Sequence, residues 1–287
     1  MDSKLTKLQT DFFIAWGQLC APLFYKFAHF VGDTAKNPIK VSYRRGAMIK
    51  HALDHIGVPS DALWINKAIA RSDLYDPWVM DYCRKSGLQN PFTLVDNGYR
   101  GEIPYALKNR STCAERNICD VCKEKNKKED KSCKPITSDF ETILMVRRDG
   151  GYGGYPALLS TDSKNAQFVI PDTQKYGANL IEKIPMSVAE YNGISLLRGF
   201  DKPLLQETID SFNTFLVGLT QGFEFCSTDD KKFKKYLDVM NLANTMIYNR
   251  APFKYEHHGD NKWSVCEWPI DLTPLKNLRD QVEKSMI

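Results

Sequence analysis

The segment that most restricts the fold is the run Phe92-Thr93-Leu94-Val95-Asp96-Asn97-Gly98-Tyr99-Arg100-Gly101-Glu102-Ile103-Pro104-Tyr105-Ala106-Leu107. Phe92 to Val95 has the character of a strand, Asp96 ends it, and two glycines lead into a helix with Pro104 in its first turn, where a missing N–H costs nothing. A strand that turns directly into a helix is the repeating unit of a wound parallel sheet. It also brings backbone N–H groups and the positive end of the helix toward one point, an arrangement suited to phosphate. Asp96, at the carboxyl end of such a strand, would accept hydrogen bonds from a ribose or hold a hydrated Mg²⁺ ion. The plainer alternative is a turn whose aspartate caps the helix.

The same alternation runs through the first half of the chain. Ile39-Lys40-Val41-Ser42-Tyr43 alternates as a strand does, Arg44-Arg45-Gly46 turns, and a helical stretch follows to Ile56. Ala62 to Ile65 reads as a second strand, a helix follows over 77–85 with Gly87 as its cap, and Thr142 to Val146 reads as a later strand. These signals predict a Rossmann-like α/β core over 37–185 with a parallel sheet. A helical lead-in over 1–36 precedes it, in which Pro22 marks a kink or the start of a second helix. Residues 186–287 read as a mainly helical part packed on the core, with long helical stretches over 203–222 and 231–250.

Between Ser111 and Lys134 the apolar periodicity disappears and Cys, Lys, Glu and Asn take over, which marks an insertion. Cys113, Cys119, Cys122 and Cys133 have irregular spacing with a single CxxC pair, and four such thiolates would make a closed tetrahedral Zn²⁺ site of structural type. Reduced thiols in a polar loop are the alternative. The chain has eight cysteines in 287 residues, and no signal-like segment opens it, so the expectation is an intracellular, cytoplasmic, reducing setting. Gln18, Pro22, Lys26 and His29 interrupt the most apolar stretch, which therefore reads as a buried helix and not a membrane span. A formal charge of +4 with basic and acidic residues intermixed gives nucleic acid little support as a partner.

Arg45 and Arg71 each follow a strand and would place guanidinium groups beside the Asp96 turn, where bidentate contact with phosphate is their usual use. Solvated turns and surface ion pairs are their ordinary alternatives. Gly150-Gly151-Tyr152-Gly153-Gly154 has neither the Lys-Ser/Thr of a P-loop nor dinucleotide spacing, and reads as a flexible lid or turn. His257-His258 reads as part of a polar loop. No Gly-x-Ser-x-Gly elbow supports serine hydrolase chemistry.

The order Gly17-x4-Pro22-x4-Phe27, Ile39 to Gly46, Arg71, and Leu94-Val95-Asp96-x-Gly98-x2-Gly101-x5-Leu107 resembles a bacterial haloacid-dehalogenase-like module found attached to polysaccharide-synthesis proteins. Here Gly46 stands directly after Arg45 where that module has Asp, Glu102 replaces its Thr, and the Asp-x-Asp-x-Thr signature of an aspartyl-phosphate enzyme is absent. The loop also looks like the ribose-phosphate loop of phosphoribosyltransferases. That resemblance implies a phosphorylated sugar or nucleotide as ligand and a phosphoribosyl- or glycosyl-type transferase as the enzyme class. Asp96, Arg45 and Arg71 would then be the catalytic residues, with Asn97, Gly98, Tyr99, Arg100 and Gly101 binding the ligand and Mg²⁺ accompanying it. The competing expectation is a non-enzymatic structural or interaction protein, a viral or effector component. It would combine a degenerate nucleotide-binding fold with a zinc-stabilised insertion and a protein partner.

Overall fold

The computed structural model describes residues 6–43, 46–65, 82–110, 139–169, 206–249, 255–258, 262–265 and 272–287. They gather into two compact units, one of Thr34–Gly46 with Pro59–Val169 and the other of Met1–Asp33, Ala47–Val58 and Ile170–Ile287. The cysteine segment 111–134, with Cys113, Cys119, Cys122 and Cys133, lies outside the described residues, as do Arg45 and Arg71.

The first unit holds a six-stranded sheet in which every neighbouring pair is parallel. Its strands are β1 (Ile39–Tyr43), β2 (Ser60–Trp64), β3 (Phe92–Tyr99), β4 (Phe140–Arg147), β5 (Ala157–Ser160) and β6 (Ala166–Val169). They lie in the order β2-β1-β3-β4-β5-β6. Along the chain, α1 (Lys7–Thr34) precedes β1, α2 (Ala47–His55) connects β1 to β2, and α3 (Glu102–Arg110) follows β3. The fold class is therefore α/β with a parallel sheet, as the alternation predicts. The chain steps from β1 to β2 on one side and returns to add β3 on the other, so the winding reverses between β1 and β3. Residues 82–85 are helical, and Gly87 closes that helix at φ +70 while the Leu88 N–H donates to the Cys83 carbonyl at 3.0 Å. This is the glycine cap expected there.

The other edge of the sheet is built differently. Parallel neighbours usually need a helical crossover, yet β4, β5 and β6 follow one another through the connections 148–156 and 161–165. β5 and β6 have four residues each. Such a strand rises about 13 Å, a distance that four or five extended residues can retrace. Polar contacts hold the coil: the Asp149 N–H donates to Thr161 Oγ1 at 2.8 Å, and Arg147 pairs with Asp162 at 3.0 Å.

The second unit holds α1, α2, α4 (Gln206–Phe223), α5 (Asp230–Asn249), the antiparallel pair β7 (Tyr255–His258) with β8 (Lys262–Val265), and α6 (Thr273–Met286). Pro22 neither ends α1 nor starts a second helix; it lies inside one continuous helix. α1 buries residues on most of its circumference, including Phe12, Phe13, Trp16, Leu19, Phe24 and Phe27, the pattern of a core helix. It meets α4 backbone to backbone. A Cβ on Gly17 would sit 2.5 Å from the Leu219 nitrogen, and one on Gly222 would sit 2.9 Å from the Gln18 Cα. At the start of α5, Asp229 accepts from the backbone N–H groups of Lys231 and Lys232, each at 2.9 Å, and so caps the helix. Buried Lys26 reaches the same place, donating to the Thr228 carbonyl at 2.5 Å and pairing with Asp230 at 2.6 Å. His257 and His258 lie in β7 and not in a loop. No helix among the described residues is long and apolar enough to cross a membrane.

Candidate functional site

β1 and β3 run in register from Ile39 beside Thr93 to Val41 beside Val95. The next step brings Ser42 level with Asp96, and because side chains alternate along a strand both project from the same face. Ser42 Oγ donates to Asp96 Oδ1 at 2.6 Å, with Ser42 4% and Asp96 8% exposed. This bond joins the carboxyl halves of the two strands between which the winding reverses, the place where open α/β sheets collect ligands. Gly46, the first described residue after β1, lies close against that strand. The Gly46 N–H donates to the Ser42 carbonyl at 3.2 Å, and a Cβ on Gly46 would lie 2.7 Å from Val41 Cγ1.

β3 runs on to Tyr99, four residues beyond the expected strand end at Val95. Gly98 is therefore a strand residue and not part of the turn. It pairs with Val146 of β4 at φ +100, and a Cβ there would fall on the Val146 carbonyl. Close approach of β4 requires this glycine, whatever the site binds. The turn itself is Arg100–Gly101, with Gly101 at φ +65 and the Tyr105 N–H donating to its carbonyl at 3.0 Å. Asn97 is 2% exposed, and neither Oδ1 nor Nδ2 of its amide has a hydrogen-bond partner among the described residues. A buried amide left in that condition costs about 1–3 kcal/mol, a cost that a bound polar group would offset.

α3 opens on Glu102, whose carboxylate already lies in the first turn, where the helix dipole favours negative charge. Pro104 contributes no N–H. An anion at this helix end would share it with Glu102, so its binding would depend mainly on the N–H groups of the Arg100–Gly101 turn.

The glycine loop 150–154 is docked on this turn, whereas its composition alone reads as a flexible lid or turn. The Tyr152 N–H donates to the Arg100 carbonyl at 2.7 Å, and a Cβ on Gly151 would lie 3.3 Å from the Arg100 Cα. The rings of Tyr105 and Tyr152 stack with centroids 4.2 Å apart. Burial pushes the Tyr155 hydroxyl above its ordinary value, and nearby Tyr105 adds to the effect. Tyr155 also lines the turn, since a Cβ on Gly101 would lie 3.1 Å from its Cε2.

Asp96, Asn97 and Gly98 thus follow one another along the carboxyl half of β3, Asp96 and Asn97 on opposite faces, and Arg100 and Gly101 form the turn after Tyr99 ends the strand. Sequence reasoning missed Ser42, Tyr105, Tyr152 and Tyr155. Ser42 had a usable signal, a small polar residue near the carboxyl end of an alternating strand. Among the described residues no three His, Cys, Asp or Glu side chains group to hold a metal ion. One carboxylate is enough for Mg²⁺ when ligand phosphates and waters supply the remaining oxygens. Cys20, Cys83 and Cys226 are free, and burial raises the Cys20 thiol to about 12 and the Cys83 thiol to about 11, which leaves little thiolate for nucleophilic work. No protein-family model, no curated protein and no solved structure matches this chain.

Proposed function

We propose that the reversal point between β1 and β3 binds a phosphorylated sugar or nucleotide. The observation that carries this reading is the buried Ser42–Asp96 hydrogen bond, which fixes a carboxylate at the ligand-collecting edge of a parallel sheet. In this reading Asp96 accepts from sugar hydroxyls, and the backbone N–H groups of the Arg100–Gly101 turn meet the phosphate. Arg45 and Arg71 enter on sequence grounds alone, as neutralising charges. Group transfer at the sugar carbon, of the phosphoribosyl or glycosyl type, is the chemistry such a site would run. It depends mainly on positioning and charge stabilisation.

Thermal unfolding of the full chain tests the reading, with ribose 5-phosphate, nucleoside phosphates and 5-phosphoribosyl diphosphate, each with Mg²⁺. A ligand at 100 times its dissociation constant should add about 2.7 kcal/mol to wild type and far less to the near-isosteric Asp96→Asn. Equal stabilisation of the two proteins would move the site elsewhere. No response to any ligand would remove the reading and leave a role in protein interaction.

A further inference from the structure

Tyr105 and Tyr152 are two of the most exposed aromatic side chains among the described residues, at 41% and 44%, and they are stacked on each other at an interplanar angle of 25°. Each ring covers one face of the other, and the remainder of each side chain stays partly open to solvent. The pair is held in place from both sides. Tyr105 stands in the first turn of α3, while Tyr152 is carried by a loop that uses positive φ at Gly150 (+71) and Gly153 (+69) and anchors through the Arg100 carbonyl. Ordering a loop this rich in glycine costs conformational entropy, and what the ordering achieves is an aromatic ring fixed in water. Tyr105 follows Glu102 by three residues, so its Cα is about 4.5 Å along the axis from the start of the helix. A ligand whose phosphate lies at the Arg100–Gly101 turn therefore has a flat aromatic surface within reach.

We infer that the Tyr105–Tyr152 pair is a stacking platform for a nucleobase, so that the ligand of the neighbouring site is a nucleotide and not a bare sugar phosphate. The inference rests on the phosphate-site reading above. A nucleobase suits the platform because it presents a flat π-face and needs no particular hydrogen-bond pattern to stack. A sugar can also lay its C–H face on an aromatic ring, but it relies in addition on hydrogen bonds to its hydroxyls, whereas a base stacks through its π-face alone.

Calorimetric titration of the full chain with the ribonucleoside 5′-monophosphates and with ribose 5-phosphate, in Mg²⁺, separates the two readings. Nucleotides should bind wild type more tightly than ribose 5-phosphate does. Tyr152→Leu and Tyr105→Leu should each weaken nucleotide binding by roughly 5- to 150-fold. Ribose 5-phosphate affinity should stay unchanged, and Tyr152→Phe, which keeps the ring, should retain the nucleotide preference. Both positions are exposed, so an unshifted thermal midpoint verifies that the variants fold. Equal affinity of wild type for ribose 5-phosphate and the nucleotides, or a preference that survives both leucine variants, overturns the platform while leaving the phosphate site standing. Failure of every ligand to bind overturns both.

Discussion

Ser42 and Asp96 are 54 residues apart in sequence and 2.6 Å apart in space, a buried hydroxyl donating to a buried carboxylate across the point where the sheet reverses its winding. A hydrogen bond to a charged group is worth about 1.5–3 kcal/mol, and here its loss would also leave the carboxylate without that donor. Ser42→Ala should therefore lower stability by about that amount, whereas Ser42→Thr, which keeps the hydroxyl, should recover part of it. Urea midpoints of the three proteins measure the difference. An alanine variant as stable as wild type would show that the bond contributes nothing.

Gly98 and Gly150 both have positive φ, but for different reasons. At Gly98 a side chain would meet the Val146 carbonyl inside the sheet, while at Gly150 nothing lies within 4 Å. Gly150→Ala should cost only the left-handed backbone penalty, about 1–2 kcal/mol. Gly98→Ala must in addition push β3 and β4 apart. It should cost several times as much, or prevent folding. Soluble yield and thermal midpoint of the two variants rank them, and equal costs would mean that the β3–β4 contact gives way easily.

Much of this architecture is written in local pattern. β1, β3 and β4 carry apolar character bounded by turn residues, and α4 and α5 carry helical periodicity, so their positions follow from the residues themselves. The coil through β5 and β6 does not, because four-residue strands leave too short a pattern to separate from loop. Gly98 was visible as a glycine but not as a strand residue. The same lack of a Cβ permits a turn or a close strand contact, and only the partner strand decides which. The site was half legible for a similar reason. Asp96 follows the apolar run Phe92 to Val95 within β3 and draws notice by its charge, whereas the rings of Tyr105 and Tyr152 meet across 47 residues of sequence that no periodicity connects.

Gly218 and Gly222 show how tertiary contact reverses a local preference. Within a helix, glycine is about 1 kcal/mol worse than alanine, so replacing it with alanine ordinarily stabilises. On α4 a Cβ at Gly218 would lie 2.7 Å from the Ile14 Cα of α1, and helix backbones this close leave no room for it. Gly218→Ala should destabilise by about 1–3 kcal/mol through overpacking. Gly32→Ala is the control, because a Cβ at that exposed end of α1 meets only Val58 Cγ2 at 3.2 Å and should be neutral or stabilising. If both substitutions stabilise, α1 and α4 are not closely packed in solution.

His51 should make the stability of its unit fall with acid. Its Nε2 lies 2.7 Å from Thr220 Oγ1, and the threonine hydroxyl donates to the Leu216 carbonyl at 3.1 Å, so the imidazole nitrogen is the donor in the first bond. Burial first and then neighbouring His55 hold the His51 pKa below its ordinary 6.5, against the opposing pull of Asp54 and the Leu216 carbonyl. His29 shifts in the same direction, again chiefly by burial, with Asp33 opposing and Lys26 adding to the shift. A depressed histidine pKa means that the unfolded chain takes up the proton first as pH falls. The stability that the neutral imidazoles contribute is therefore complete above about pH 6.5 and is lost as pH drops toward the folded values. His51→Gln keeps a donor for Thr220 but does not titrate, so its urea midpoint should fall less between about pH 7.5 and about pH 5.5 than that of wild type. Identical slopes would show that His51 is not protonated differently in the folded and unfolded chains.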